Sequence, residues 1–181
     1  FATLDPTARR LSLPAGMDTV LTDTVGFIRN LPHRLIKAFK ATLEEVRQAD
    51  LLVQILDAAD PEALVHYHTT MQVLGELEAS NKPMLVVLNK WDLVENDPAL
   101  AEQQSMLSLR FADSIRISAK NSVGMDRLLD CLAAKINENR PAHFVLVPYA
   151  RGDIMAALHR GGQVLSQENV EEGVAVKAFL D

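Results

Sequence analysis

Residues 84–92, Met-Leu-Val-Val-Leu-Asn-Lys-Trp-Asp, constrain this chain more than any other stretch. Five successive apolar residues of strand character are the pattern of a strand covered on both faces, as in a parallel sheet with helices above and below. Open sheets of that kind bind ligands beyond the carboxyl ends of their strands. Asn89-Lys90-Trp91-Asp92 stands at such an end. The residue types suit guanine. An Asp carboxylate only accepts, and it can take two N–H donors side by side, which guanine offers at N1 and its exocyclic N2 and adenine does not. The stem of Lys90 can lie along the base, while Asn89 can brace the loop and reach a ring nitrogen. The plainer alternative is a helix-capping Asn and Asp.

The rest of the chain fits an α/β fold. Residues 8–14 alternate apolar and polar and read as a half-buried strand; Pro14-Ala15-Gly16 is a turn, and Met17 to Thr22 completes a hairpin. Leu31-Pro32 breaks the chain before a helix over about 33–48. Leu51 to Leu56 is a continuous apolar strand. Asp60 as N-cap and Pro61 at the first helical position open a helix to about Ala79. A helix over 97–111, a strand from Ser114 to Ile117 and a helix from Gly124 to about Asn137 follow. This alternation predicts a mostly parallel sheet with helices on both faces over 1–138. Residues 139–142 read as a linker, and 143–181 as a small α+β domain of β-α-β-β order.

Composition excludes several classes. Hydrophobic residues make up 48% and charged residues 23%, ordinary for a soluble domain. No apolar run approaches the roughly 20 residues of a membrane span. The single cysteine, Cys131, rules out an internal disulfide framework or a multi-cysteine metal site and reads as a structural thiol on an amphipathic helix. A cytoplasmic location is expected. The net charge of −6 argues against nucleic-acid binding by the whole surface, but its distribution is uneven. Residues 1–47 carry +2 and residues 48–181 carry −8. Arg9, Arg10, Arg29, Arg34, Lys37 and Lys40 are candidates for one positive face, against the alternative of a solvated surface. His66 and His68 alternate on a helix and point apart, so they read as surface residues rather than metal ligands.

Three more loops carry chemistry at strand ends. Asp23 can hold Mg²⁺ through water, because Mg²⁺ keeps most of its hydration shell. Gly26, three residues on, lets a backbone N–H approach a terminal phosphate with no Cβ in the way. Thr3 offers a hydroxyl that would complete the Mg²⁺ shell. Ser118-Ala119-Lys120 can present the Ala119 N–H to the guanine O6.

The order Thr3, Asp23-Thr-Val-Gly26, Asn89-Lys-Trp-Asp92, Ser118-Ala-Lys120 resembles the translation-factor class of P-loop GTPases with a Ras-like domain. Within that class, Phe-Ala-Thr-Leu-Asp-Pro-Thr-Ala-Arg-Arg (1–10), Thr-Asp-Thr-Val-Gly-Phe-Ile-Arg-Asn-Leu-Pro (22–32) and Ala-Thr-Leu-Glu-Glu-Val (41–46) are similar to the HflX family of ribosome-associated GTPases. The resemblance covers essentially the entire chain. It implies Mg²⁺ and GTP or GDP as ligands, with Thr3 and Asp23 at the metal and Asp23 and Gly26 as the switch II pair. Asn89, Lys90 and Asp92 would surround the base, supported by Ser118, Ala119 and Lys120. It further implies GTP hydrolysis coupled to binding the large ribosomal subunit and its RNA and to splitting stalled or idle ribosomes, at the ribosome or a membrane surface. Oligomeric state is not implied.

Two departures matter. Phe27 follows Gly26 where Ras-like proteins carry a water-orienting Gln, and a phenyl ring cannot orient water. The sequence also contains no Gly-x-x-x-x-Gly-Lys-[Ser/Thr], the loop whose backbone N–H groups cradle phosphates. With Phe1 in place of an initiator Met, the chain is expected to be the N-terminally truncated part of a longer protein, with impaired nucleotide binding. Its sheet would then be incomplete between the 17–22 and 51–56 strands, rearranged, or completed by another chain. A non-catalytic module retaining the fold is the alternative. A dinucleotide-dependent oxidoreductase would need Gly-x-Gly-x-x-Gly, which is absent.

Overall fold

The computed structural model describes residues 7–23, 45–138 and 141–180. Thr3, Gly26, Phe27, most of the expected 33–48 helix and part of the expected linker lie outside them. The chain divides into two compact units, Phe1–Ile136 and Asn137–Asp181.

In the first unit, β1 (Thr7–Leu13) and β2 (Met17–Asp23) form an antiparallel hairpin about the turn Pro14–Gly16, in register from Thr7 opposite Asp23 to Leu13 opposite Met17. The sequence predicts half-burial along residues 8–14. Only the end beside the turn is buried, with Leu13 and Met17 in the core, while Val20 and Leu21 stay exposed.

The three other strands are parallel: β3 (Leu52–Asp57), β4 (Met84–Asn89) and β5 (Ile115–Arg116), in that order. The apolar run of β4 explains its central place. Alternate side chains leave opposite faces of a strand. Leu85 and Val87 enter one cluster with Leu13, Met17, Ile115, Ile117, Leu128 and Leu132. Leu88 enters the other with Leu56, Trp91, Val94, Leu107 and Phe111.

Helices α1 (Ala63–Glu76), α2 (Trp91–Glu95), α3 (Ala101–Arg110) and α4 (Met125–Glu138) complete the unit. The start of α1 differs from the sequence reading. Asp60 Oδ1 accepts from the Glu62 N–H at 2.8 Å and closes a turn over 60–62, so the helix begins three residues after Asp60. The end of α1 also comes early, because Glu78 turns left-handed (φ 58°) and the Ala79 N–H reaches back to Leu74 O at 2.9 Å. The short helix α2, which opens inside the Asn-Lys-Trp-Asp stretch, has no strong periodic signal and was not foreseen. Residues 45–48 are helical, and Val46 packs on Val73, Leu74 and Leu77.

Among the described residues, β2 and β3 belong to different sheets. The edge of β3 away from β4 therefore carries no described partner. Beside it, Ile55 is 60% exposed and the buried Gln54 amide has neither its nitrogen nor its oxygen bonded. Buried polar groups are normally satisfied.

The second unit has β6 (His143–Val147), α5 (Gly152–Gly161), β7 (Gly162–Val170) and β8 (Gly173–Leu180), with antiparallel order β6-β8-β7 and a register shift between Val164 and Ser166. Helix α5 covers one face through Ile154, Met155 and Leu158, against Val147, Val176 and Ala178.

Gly124 begins the approach to α4 at φ +76°, and a Cβ there would lie 2.5 Å from Arg116 O. Left-handed strain alone costs about 1–3 kcal/mol, and the backbone clash adds to it. Gly124→Ala is therefore expected to lower the thermal unfolding midpoint by several degrees, measured by circular dichroism.

Candidate nucleotide-base site

The carboxyl ends of β3, β4 and β5 lie side by side because the strands pair in register, Asp57 beside Asn89 and Leu88 beside Arg116. The loops leaving them enclose an open cleft of about 210 Å³ lined by Asn89, Lys90, Asp92, Leu93, Ser118, Lys120 and Asn121.

Asn89 joins two of those loops. Its Oδ1 accepts from the Lys90 N–H at 2.8 Å and from the Ala119 N–H at 3.0 Å. Two backbone donors on one oxygen fix the orientation of the amide and leave its Nδ2 group to donate elsewhere. Backbone bonds add to the brace: Trp91 N–H to Ile117 O at 3.0 Å, and Ala58 N–H to Asn89 O at 2.8 Å. The Ala119 N–H, expected to face a base oxygen, donates here to Asn89 Oδ1.

Lys90 sits in left-handed backbone (φ 60°). Its Nζ pairs with Asp57 Oδ2 at 2.5 Å, while Asp57 Oδ1 accepts from the Ala59 N–H at 3.0 Å. Hydrogen bonding to Asp57, then the charge of that carboxylate, raises the Lys90 pKa above the ordinary lysine value. The ammonium therefore stays charged throughout the neutral range and loses its proton only as pH rises past that raised value.

Asp92 lies in the first turn of α2 and accepts from Asn121 Nδ2 on Oδ2 at 3.0 Å. No described residue engages Oδ1, and each carboxylate oxygen has two acceptor sites. Ser118 is buried; it exchanges backbone bonds with Val123 at 3.0 and 3.1 Å, and its Oγ accepts from the Asn121 N–H at 3.3 Å. Together they close the 118–123 loop that presents Ala119, Lys120 and Asn121. Trp91, at the variable position of the motif, is buried with the Arg116 guanidinium 4.5 Å from its ring centroid. It packs and does not face the cleft.

The structure therefore brings Asn89, Lys90, Asp92, Ser118, Ala119 and Lys120 together. Sequence reading missed Asp57 and Asn121. Asp57 follows the Leu51–Leu56 run and read as part of the approach to the next helix; pairing register is what places it beside the motif. Asp23 is exposed at the end of β2. Among the described residues no group of three or more His, Cys, Asp or Glu side chains could hold a metal. No described helix is long and apolar enough to cross a membrane.

Asn89→Ala would leave the N–H groups of Lys90 and Ala119 without their acceptor. Both bonds are exposed, so water can replace the acceptor, and the loss is expected to cost about 0.5–1.5 kcal/mol for each. Hydrogen exchange should be faster at both amides, with the protection of the core strands unchanged.

A family profile described as "50S ribosome-binding GTPase" matches residues 1–90. Proteins named GTPase HflX align along nearly the whole chain: 50% identity over 99% of it in Akkermansia muciniphila and 37% over 97% in Escherichia coli. The chain spans about two fifths of their length, 41% and 40%. Among solved structures, a GTP-binding protein from Sulfolobus solfataricus in complex with GDP superposes with a TM-score of 0.59 at 26% identity, over 76% of this chain and 46% of that one. Era, in complex with MgGDPNP and a 16S ribosomal RNA segment, shares the fold, with a TM-score of 0.57 at 17% identity over 74% of this chain and 45% of that one. With the fold of P-loop GTPases, and with the motif order and the sequence of these proteins across its length, the chain belongs to the HflX family.

Proposed function

We propose that the chain forms the base-binding part of a GTPase that acts on the ribosome, reading guanine with Asp92 and holding the site with Asn89. The observation that carries this reading is the double acceptance at Asn89 Oδ1, which sets two loops at a fixed spacing around a cleft whose acidic wall is Asp92. Asp92 would accept the base N1 and N2 donors, with Oδ1 open and Oδ2 shared with Asn121. Lys90 would lie along the base, and Lys120 borders the same cleft. Mg²⁺ neutralises phosphate charge when bound. Asp23 and Thr3 are the residues we assign to hold it, and Gly26 the one whose N–H would meet the terminal phosphate.

With Phe27 after Gly26, the chain offers no evident base for water. Hydrolysis would then depend on a group supplied by the ribosome, which fits a family described as ribosome-binding. Binding to the large subunit, and the splitting of stalled or idle ribosomes, are the roles we assign. Retention of the fold as a non-catalytic module is the competing reading, since these 181 residues contain no phosphate-cradling loop.

Fluorescent GDP and GTP binding with Mg²⁺ tests the proposal, on this chain and on one extended upstream with its native sequence. The extended chain is expected to bind and the 181 residues alone to bind poorly. Asp92→Asn should weaken guanine nucleotides at least about tenfold and favour xanthine nucleotides, whose ring carbonyl pairs with the new amide. Absence of binding by either chain would favour the non-catalytic module.

The basic residues Arg29, Arg34 and Lys37 are the proposed contacts to ribosomal RNA, while Arg10 faces Asp18 at 3.8 Å on the hairpin. Replacing Arg29, Arg34 and Lys37 with Ala should weaken sedimentation with large subunits and flatten its salt dependence, as loss of phosphate contacts does. Unchanged association would remove this face from the proposal.

A further inference from the structure

We infer that Asp57 is a positioning residue for the base site, holding the Lys90 ammonium so that the lysine stem forms a fixed wall of the cleft. The inference rests on the guanine reading above and adds a residue outside the Asn-Lys-x-Asp motif. A surface lysine otherwise samples many rotamers, and ordering it costs conformational entropy at the moment a ligand binds. Here three features order it beforehand.

Parallel register sets Asp57 beside Asn89, one residue from Lys90. The left-handed backbone at Lys90 directs its side chain back over the end of β3, where Asp57 Oδ2 receives Nζ. The receiving carboxylate is itself held. Its Oδ1 takes the Ala59 N–H at 3.0 Å, and the 57–60 turn is tied to α3 by Gln103 Nε2, which donates to Ala58 O at 2.6 Å and Asp60 O at 2.8 Å. Lys90 nonetheless lines the cleft and keeps 54% of its side chain exposed, so the stem is available to a flat ligand. Asp60 adds a second negative charge that favours the same placement of the ammonium.

A double-mutant cycle in the full natural protein tests this, with fluorescent GDP as the probe: wild type, Asp57→Asn, Lys90→Met and the pair. Methionine keeps an apolar stem and removes the charge that Asp57 holds. Asp57→Asn is expected to raise the GDP dissociation constant about threefold in the wild-type background and to leave it unchanged in the Lys90→Met background. The thermal midpoint of Asp57→Asn, and the binding of Asp57→Glu, serve as folding controls; Asp57→Glu should restore most of the affinity. An equal loss in both backgrounds, or none in either, overturns the inference. The Asp92→Asn variant separates the two levels. If it gains xanthine preference while the cycle is additive, the positioning role alone fails; if it gains none, the guanine reading fails and this inference with it.

Discussion

The first unit depends on the lateral pairing of β3, β4 and β5, because the loops that line the cleft leave the ends of those strands. The apolar run of β4 secures the pairing by entering both cores at once, with Val87 on one side and Leu88 on the other. Polar chemistry begins one residue later, at Asn89. The site is thus built on the most buried strand and opens where burial stops, which gives short side chains a rigid base from which to hold loops.

Hydrogen bonding then spreads from a single amide. Asn89 Oδ1 unites the 89–92 and 118–121 loops, and Ser118 closes the second loop on Val123. Both loops reach their geometry through left-handed residues, Lys90 in one and Ser122 and Gly124 in or beside the other. The cleft is consequently ordered by main chain more than by side-chain packing. This explains how one wall can be as exposed as Lys90 and Asn121 are and still be well defined.

Much of this was legible in the residues. Continuous apolar runs announced β3 and β4, and the strand-helix alternation announced the parallel sheet, because each reports burial directly. The residues of the two loops that line the cleft were legible because polar types gather in short runs at the ends of apolar strands. What escaped was what depends on register or on competition between local bonds. Asp57 read as part of the stretch leading into the next helix, and its partnership with Lys90 emerges only when two parallel strands are aligned. The start of α1 was misplaced because Asp60 can satisfy a turn as readily as a helix, and here it closes the turn. Residues 8–14 were expected to form a half-buried strand, yet alternation in sequence does not say whether anything packs on it, and residues 8–10 are exposed.

The left-handed backbone of Lys90 has a consequence for how this sequence can vary. A non-glycine residue at positive φ is held there at a cost of about 1–3 kcal/mol, and glycine would escape most of it. A stabilising substitution is therefore available at one of the walls of the cleft, and it would remove the ammonium that meets Asp57. Backbone relief at this position and the pairing with Asp57 are therefore opposed: the residue that removes the strain also removes the cation that joins the end of β3 to the 89–92 loop.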